Sequence, residues 1–570
     1  MAVRDFPDPV DSKNSRSELE PPILPSQTDS SCSGQAARLT GALVAFLMLA
    51  ATLGILFEKN LVNTVTQQGW GRLLYGVSAA LTQSRFGIGG FAIDDRIFVY
   101  LMKAGLSDNS RLLDVLGERF PNNLRNTELL DTALRQAAAI DLPPPTGLPD
   151  SKGHYSGLSG FSGDDSGIGT YAYLAFMIFG VHLSALTYLY FLITGGSIAL
   201  YLLSQRRSTA AIVALAIVTT SLYLTVCADI VNFQSATGPG IDLKDPRFLG
   251  TIATFPVLHI IATWMRENNR LSVADYVILA AQCAILAFAL HIRASVVWTV
   301  LAIPLLWMLR TGLFRHPGVS RRLYDWRSPR SIVTLAVVLA VLLTGYVCAR
   351  ASQHPLYSAE GEIPRHTFWQ GVVYSLQLNP AWEAKYGTLV NGAGGDAMPP
   401  AAARFAISQL PKGQQGQYFN TDGSLKRTAL EKFTRAMFFR LLWNDPGFVL
   451  STFLIVKPIR ILDSEMALFG GIFAELPLWN MLIPIVAAIM LTWAGARDPD
   501  TPRQLLSFAG VALWMAIFAS LPNWLVALNP LVMVDHFLWD LVFLGSIVIA
   551  ASAALARLAP RKLRPIFTGA

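Results

Sequence analysis

Two pairs of adjacent aspartates are the residues of this sequence best suited to acid–base chemistry. Asp94 and Asp95 open an apolar stretch with helical spacing (DDRIFVYLMKAGL), and Asp164 and Asp165 open another within a Gly- and Ser-rich segment (GFSGDDSGIGTYAYL). Adjacent carboxylates repel each other, which favours a proton on one of them and suits it to general-base work on an acceptor hydroxyl. Aspartates at a helix start also cap its first turn. The sequence leaves capping and catalysis open for both pairs.

Cationic residues beside apolar runs supply the complementary chemistry, because a lipid phosphate at the membrane surface needs positive hydrogen-bond donors. The candidates are Arg293, Arg365, His366, Lys457 and Arg460. Arg293 interrupts a nearly continuous apolar run, where a charge is costly unless it reaches water or binds a ligand; a tight external turn is the alternative. Lys457 and Arg460 are three residues apart and are predicted to share a helix face, with snorkelling to head groups as the alternative.

The last apolar run carries three ionisable residues, Asp535, His536 and Asp540. Ionisable groups within a membrane span usually mark a functional site. The alternative for His536 is a simple pair with a neighbouring aspartate.

The elements that must position these residues are membrane-spanning helices. A bilayer core needs about 20 helical residues, and about ten runs meet that length. The predicted spans are 39–57, 183–204, 209–228, 249–265, 273–292, 294–310, 331–348, 476–495, 505–521 and 531–555. A chain that is 52% hydrophobic and only 15% charged agrees with this class. The predicted fold is therefore an all-α polytopic membrane protein.

The positions of the basic residues predict the orientation of the spans. Most Arg and Lys residues in the short connections lie on the side of the N-terminus, so both termini are expected in the cytoplasm. The net charge of +7 then reflects topology and not nucleic-acid binding. The predicted parts are a disordered tail (1–37), a transmembrane module (38–348) containing an extracytoplasmic loop (58–182), a second such loop (349–475), C-terminal spans (476–557) and a tail (558–570).

Short helices in the membrane interface are predicted within the two large loops. The stretches concerned are 95–106, 171–180, 368–378 and 447–462. They are apolar or amphipathic but too short, or too charged near one end, to cross a bilayer comfortably. For 447–462, a membrane span is the alternative.

Three stretches add a resemblance to a known superfamily. DDSGIGTYAYLAFMIFG (164–180), IRASVVWTVLAI (292–303) and RHTFWQGVVYSL (365–376) are similar to segments of bacterial membrane proteins within the GT-C glycosyltransferases. The last stretch resembles a His-Pro-Phe-Trp-His pattern: His366, Phe368 and Trp369 match, whereas Thr367 replaces the proline and Gln370 the second histidine. The order of spans and long external loops also resembles that superfamily.

The resemblance implies a membrane glycosyltransferase of the bacterial inner membrane, acting on the extracytoplasmic side. It implies a polyprenyl-phosphate sugar as donor and an envelope glycolipid, polysaccharide or protein as acceptor. One aspartate of the first loop would be the base, either from Asp94 and Asp95 or from Asp164 and Asp165. Arg293, Arg365 or Lys457 would stabilise the departing phosphate, with His366, Trp369 and Arg460 as further binding candidates. The resemblance fixes no cofactor; some members use a divalent cation, for which the sequence shows no dedicated ligand set.

Three other classes remain open. A polysaccharide polymerase or ligase would rely on external arginines and a histidine. A transporter would be expected to contain internal repeats, and the sequence shows none. A non-catalytic membrane scaffold would use the acidic pairs only as helix caps.

Overall fold

The computed structural model describes most of the chain. The described residues are 27–87, 97, 101, 124–139, 167–234, 244–265, 271–313, 329–351, 368–419, 423, 425–475, 478–526 and 534–558. Apart from one short ribbon, in which β1 (Thr64–Thr66) pairs antiparallel with β2 (Leu124–Asn126), the regular structure in these residues is helical.

The helices of the first part of the chain form most of the bundle, and three of them fall within the range of the predicted first loop. They are α1 (Gln27–Glu58), α2 (Gln67–Phe86), α3 (Thr127–Ala139), α4 (Gly167–Phe179), α5 (Ser184–Gln205), α6 (Thr209–Gln234), α7 (Pro246–Leu249), α8 (Thr254–Met265), α9 (Val273–Ile292), α10 (Val296–Leu313) and α11 (Pro329–Ala351). A 3₁₀ turn, Gly250–Ala253, joins α7 to α8.

The remaining helices first form a small unit, residues 368–451, which is here called the extramembrane unit because none of its described helices is a candidate membrane span; the chain then returns to the bundle. They are α12 (Phe368–Tyr374), α13 (Trp382–Tyr386), α14 (Met398–Ser408), α15 (Lys412–Gln415), α16 (Arg427–Asn444), α17 (Pro446–Ser451), α18 (Lys457–Glu475), α19 (Leu478–Arg497), α20 (Thr501–Leu525) and α21 (Val534–Leu558).

Nine helices of the described chain are long and apolar enough to cross a membrane. They are Gly34–Glu58, Ser184–Gln205, Thr209–Ala228, Pro246–Trp264, Val273–Ile292, Ile332–Ala349, Asn480–Arg497, Thr501–Leu525 and Val534–Leu558. Each overlaps a predicted span. The remaining prediction, 294–310, falls on α10, whose described apolar part is the shorter helix Val296–Leu306. The chain is therefore a multi-pass helical membrane protein.

The local sequence explains where α9 begins and ends. The Ser272 hydroxyl caps the N-terminus by accepting a hydrogen bond from the Asp275 backbone N–H. The Asp275 side chain in turn accepts a bond from the Ser272 backbone N–H, so two otherwise unpaired donors are satisfied. The helix ends at Arg293, whose backbone is extended. The boundaries 273–292 predicted from apolar length are those of the helix.

Two expectations from the sequence need correction, one for the predicted tail 1–37 and one for the predicted short helix at 447–462. Helix α1 begins at Gln27, so the last eleven residues of the predicted disordered tail 1–37 are helical. The stretch predicted as a short helix at 447–462 is part of a longer one: α17 continues through a π-helical turn, Thr452–Val456, into α18.

The extramembrane unit has its own small apolar core. Trp382, Val373, Leu376 and Met398 are buried together with Phe448 from α17. Its helix α12 lies against the end of α20, because a Cβ placed on Gly371 would overlap the side chain of Val526. The unit is thus joined to the bundle by close packing as well as by the chain.

Candidate functional site

One end of the bundle, here called the loop end, brings Arg293 and Asp535 together. The two side chains meet at Gly250: a Cβ at that position would lie 2.9 Å from Asp535 Oδ2 and 3.3 Å from Arg293 Cγ. Asp535 is in the first turn of α21, and Arg293 follows α9. Both residues are partly buried, and the positive charge of Arg293 acts on the Asp535 carboxylate, which makes the two charges more tolerable in an apolar bundle.

Polar contacts fix the 3₁₀ turn that holds Gly250. The Asp245 side chain caps α7 by accepting from the Arg247 N–H at 2.8 Å. The Tyr190 hydroxyl on α5 lies 2.9 Å from Thr251 Oγ1. Lys244 Nζ donates to the Leu61 carbonyl at 2.8 Å. The loop end is therefore a rigid, polar junction of four segments.

The Gly-rich motif of the sequence also contacts this junction. A Cβ on Gly167, at the start of α4, would lie 2.5 Å from the His291 carbonyl carbon and 2.6 Å from the Ile292 nitrogen. Gly167 of the GDDSGIG motif therefore allows α4 to touch the backbone of α9 immediately before Arg293. This role is close packing, one of the uses that glycine alone can serve.

Asp131 is a loop-end carboxylate that the sequence analysis missed. It lies on α3 and accepts a hydrogen bond from the Leu183 N–H at 2.7 Å, just before α5. Burial raises the pKa of Asp131 above its ordinary value, and the bond from Leu183 and the nearby charges of His182 and Lys244 oppose that rise. The amphipathic pattern of α3 was the available signal. No motif separates Asp131 from other helix carboxylates.

A second cluster joins α18 to α21. His536 Nδ1 lies 2.7 Å from Glu465 Oε1, and His536 Nε2 lies 3.0 Å from Asp540 Oδ2. Only 7% of the His536 surface and 8% of the Glu465 surface are exposed. The sequence predicted His536 and Asp540 as functional, whereas Glu465, on a different helix, was missed.

A third cluster links two of the predicted binding residues, Trp369 and Lys457. The Trp369 ring lies 5.4 Å from the ring of Phe438, which lies 5.9 Å from that of Phe453. Lys457 Nζ lies 4.9 Å from the centre of the Phe453 ring. This aromatic row, Trp369–Phe438–Phe453, connects the extramembrane unit to the start of α18.

Glu431 fixes the position of Trp369. Its two carboxylate oxygens accept from the backbone N–H groups of Trp369 and Gln370, each at 3.1 Å, and thereby cap α12 from the neighbouring helix α16. The Arg435 guanidinium lies 6.0 Å from the Trp369 ring. Trp369 is therefore held both by its backbone and by its ring.

Lys457 and Arg460 occupy different environments, which corrects the expectation that they act from one face. Lys457 is fully buried and Arg460 is exposed. The Lys457 ammonium lies over the Phe453 ring, whereas Arg460 remains on the outer surface of α18.

The other predicted site residues lie outside the described residues. They are Asp94, Asp95, Asp164, Asp165, Arg365 and His366. Their roles therefore remain predictions from the sequence.

The opposite end of the bundle contains a cavity of about 760 Å³. It lies between the α5–α6 connection, the start of α9 and the α19–α20 connection, and its lining includes Arg206, Arg207, Asp275, Asp498 and Asp500. Charges of both signs line it, so it has no clear preference for an anion or a cation.

Comparison with known proteins does not assign this architecture to a family. No protein family, no curated protein and no solved structure matches the chain. The class defined by the fold is a multi-pass helical membrane protein, and any narrower assignment depends on the chemistry of its buried polar groups.

Proposed function

We propose that the protein is a membrane glycosyltransferase that takes a sugar from a polyprenyl-phosphate carrier and transfers it to an envelope glycolipid, polysaccharide or protein. The observation that supports this most directly is the environment of Lys457. Its ammonium group is completely buried and has no hydrogen-bond partner among the described residues. Burial lowers the pKa of the Lys457 amine to about 7, and an anionic ligand such as a lipid phosphate would stabilise its charged form.

The backbone before Lys457 supports a binding role. The π-helical turn Thr452–Val456 ends immediately before it, and such turns are frequent at functional sites. The extramembrane unit holds this turn through Asn379 Nδ2, which donates to Thr452 Oγ1 at 2.8 Å. The bundle holds it through the Trp524 indole N–H, which donates to the Phe453 carbonyl. Lys457 thus lies where the two parts of the protein meet.

The aromatic row beside Lys457 suits an isoprenoid carrier. Trp369, Phe438 and Phe453 present flat apolar surfaces next to the buried cation. Leu454, Ile455 and Ile459 are more than half exposed on the outer surface of the same helix. A lipid with an apolar chain and a phosphate head needs this pairing of apolar surface and cation.

The catalytic base is expected from the first large loop. Asp94, Asp95, Asp164 and Asp165 are the candidates that the resemblance supplies, and Asp131 joins them because burial raises its pKa. The base would remove the proton of the acceptor hydroxyl, whose oxygen attacks the anomeric carbon while the carbon–oxygen bond to the phosphate breaks. The cations would stabilise the charge that develops on the departing phosphate.

Binding of undecaprenyl phosphate to the purified protein in nanodiscs tests the role of Lys457. We expect the phosphate to raise the melting temperature, and uncharged undecaprenol to have no comparable effect. The Lys457→Met variant should lose roughly 10- to 100-fold in affinity, the value of a charged hydrogen bond, whereas Lys457→Arg should retain part of it. Lys412→Met is the matched control, because Lys412 is an exposed lysine of the same extramembrane unit.

Activity is tested by complementing a deletion strain and reading its surface glycans by mass spectrometry. A glycosyltransferase predicts the loss of one sugar on deletion and its return with the wild-type gene but not with Lys457→Met. A change in chain length with no missing sugar would identify a polymerase or ligase instead. Unchanged glycans, together with equal binding of the phosphate and the alcohol, would overturn the proposal.

A further inference from the structure

The cluster of Glu465, His536 and Asp540 has the donor set of a metal site. One ligand atom from each residue, two carboxylate oxygens and one imidazole nitrogen, lies within 4.8 Å of the others. An ion at about 2 Å from each ligand holds such atoms roughly 3 to 4 Å apart, so small side-chain rotations complete the geometry. Imidazole and carboxylate together are a ligand set that zinc and neighbouring divalent metals accept.

The contacts within the cluster are short but do not have hydrogen-bond geometry. His536 Nδ1 lies 2.7 Å from Glu465 Oε1, yet neither atom forms a hydrogen bond with any described group. Asp540 Oδ2 lies 3.0 Å from His536 Nε2 and is also without one. Polar atoms that converge this closely in a buried place are held by an ion pair with a charged imidazole, by a proton shared among them, or by a cation that small side-chain movements would admit.

The charge balance favours a dication. Two carboxylates and one neutral imidazole carry two negative charges, and a protonated histidine would neutralise only one of them. His536 and Asp540 lie on a candidate membrane span, where an uncompensated charge is costly. A divalent ion neutralises both carboxylates and satisfies the converging lone pairs at once.

The surroundings of the cluster are suitable for holding an ion in place. His536 and Asp540 are one helical turn apart on α21, so they project from the same face. Glu465 approaches from α18, and the rings of Phe469 and Phe537 pack edge to face at 4.9 Å between the same two helices. An apolar shell of this kind excludes water and fixes ligand orientation.

We propose that Glu465, His536 and Asp540 bind one divalent transition-metal ion, with zinc as the first expectation. The ion would join α18, which continues from the extramembrane unit, to the last membrane helix. Three protein ligands leave a coordination position for water or a substrate oxygen. This inference is independent of the proposed function, since it concerns different residues and a different ligand.

Metal analysis of the full-length protein in detergent, purified without a metal-affinity tag, tests the proposal. We expect about one zinc, manganese or iron ion per chain in the wild-type protein, or after addition of each metal salt and removal of the excess. Glu465→Gln and His536→Gln should each reduce occupancy at least about tenfold. Asp463→Asn should leave it unchanged, because Asp463 is an exposed carboxylate on the same helix.

X-ray absorption on the wild-type protein keeps the test decisive if the variants do not fold. One imidazole and two or more oxygen ligands in the first coordination shell would support the site. A wild-type protein that holds no ion after addition of every metal, or an ion that Glu465→Gln and His536→Gln retain, would overturn it in favour of a proton shared within the cluster. Either result leaves the Lys457 phosphate-binding test unaffected, so the two proposals can fail separately.

Discussion

Arg293 and Asp535 meet across the 3₁₀ turn at Gly250, although 242 residues separate them in the chain, from position 293 to position 535. Arg293 follows α9, and Asp535 lies in the first turn of α21. The contact joins the middle of the sequence to its last membrane helix at the loop end. Arg293, the charged residue that interrupts an apolar run, therefore lies near the carboxylate of Asp535.

Removing one member of this pair should destabilise the protein more than removing both. Arg293→Gln leaves the Asp535 carboxylate buried beside a neutral group, which should cost roughly 3 to 5 kcal/mol. The Arg293→Gln/Asp535→Asn double variant removes both charges and should recover much of that loss. Thermal unfolding in detergent, followed by tryptophan fluorescence, measures the difference. Equal destabilisation by the single and double variants would show that the two charges do not interact.

Gly250 is expected to tolerate no side chain. A Cβ there would lie 2.9 Å from Asp535 Oδ2, closer than normal contact, so Gly250→Ala should cost about 1 to 3 kcal/mol through overpacking. The matched control is Gly195→Ala on α5, where a Cβ meets nothing within 4 Å. That change should be neutral or slightly stabilising, because alanine is the better helix former. A Gly250→Ala protein with an unchanged melting temperature would contradict the close approach.

Gly167→Ala should be more damaging than Gly250→Ala. The added Cβ would lie 2.5 Å from the His291 backbone, which cannot move aside as a side chain can. We expect a loss of several degrees in melting temperature and poorer membrane expression, with Gly54→Ala as the control because a Cβ there has open space. Faster hydrogen exchange near Gly167 would show that the loss of stability comes from α4 moving away from α9.

The Asp131→Asn variant separates the structural hydrogen bond that Asp131 accepts from a role of Asp131 as the catalytic base. Asparagine keeps the oxygen that accepts from the Leu183 N–H, so the melting temperature should change little. If Asp131 is the base, transfer activity should fall roughly 100- to 10,000-fold. Since burial raises the pKa of Asp131, wild-type activity should be lost on acidification at a higher pH than an ordinary aspartate would give. Full activity in Asp131→Asn would leave Asp94, Asp95, Asp164 and Asp165 as the candidates.

The extramembrane unit should lose stability in acid through Asp445. Hydrogen bonds from Lys385 Nζ at 2.7 Å and from the Tyr386 hydroxyl at 2.9 Å hold the pKa of Asp445 below its usual value. A carboxyl whose pKa is lower in the folded state contributes stability above its unfolded pKa and loses it as the pH falls through the folded pKa. The melting temperature of the wild-type protein should therefore fall as the pH is lowered from about 5 to about 2. It should fall less over this range in the Asp445→Asn variant.

The control for that experiment is Glu383→Gln, which removes an exposed carboxylate from α13 in the same unit. The melting temperature of this variant should depend on pH in acid as it does in the wild-type protein. If both variants changed the pH dependence of the melting temperature equally, the effect would be one of general surface charge instead.

The sequence by itself determined the class of the protein and the positions of its long apolar helices. Apolar length is a local property, so Val273–Ile292 was predicted to the residue, and every predicted span falls on a helix. The sequence also singled out Arg293, His536 and Asp540, since a charge within an apolar run is visible without any knowledge of the fold.

Tertiary structure alone decided which of these residues meet. Glu465 joins His536 and Asp540 because α18 packs against α21, and a charged residue on an amphipathic helix carries no mark of its partner. The separation of buried Lys457 from exposed Arg460 depends on the contacts of the π-helical turn with Asn379 and Trp524. Helix formation follows from neighbours along the chain, whereas these contacts follow from packing between segments that are remote in sequence.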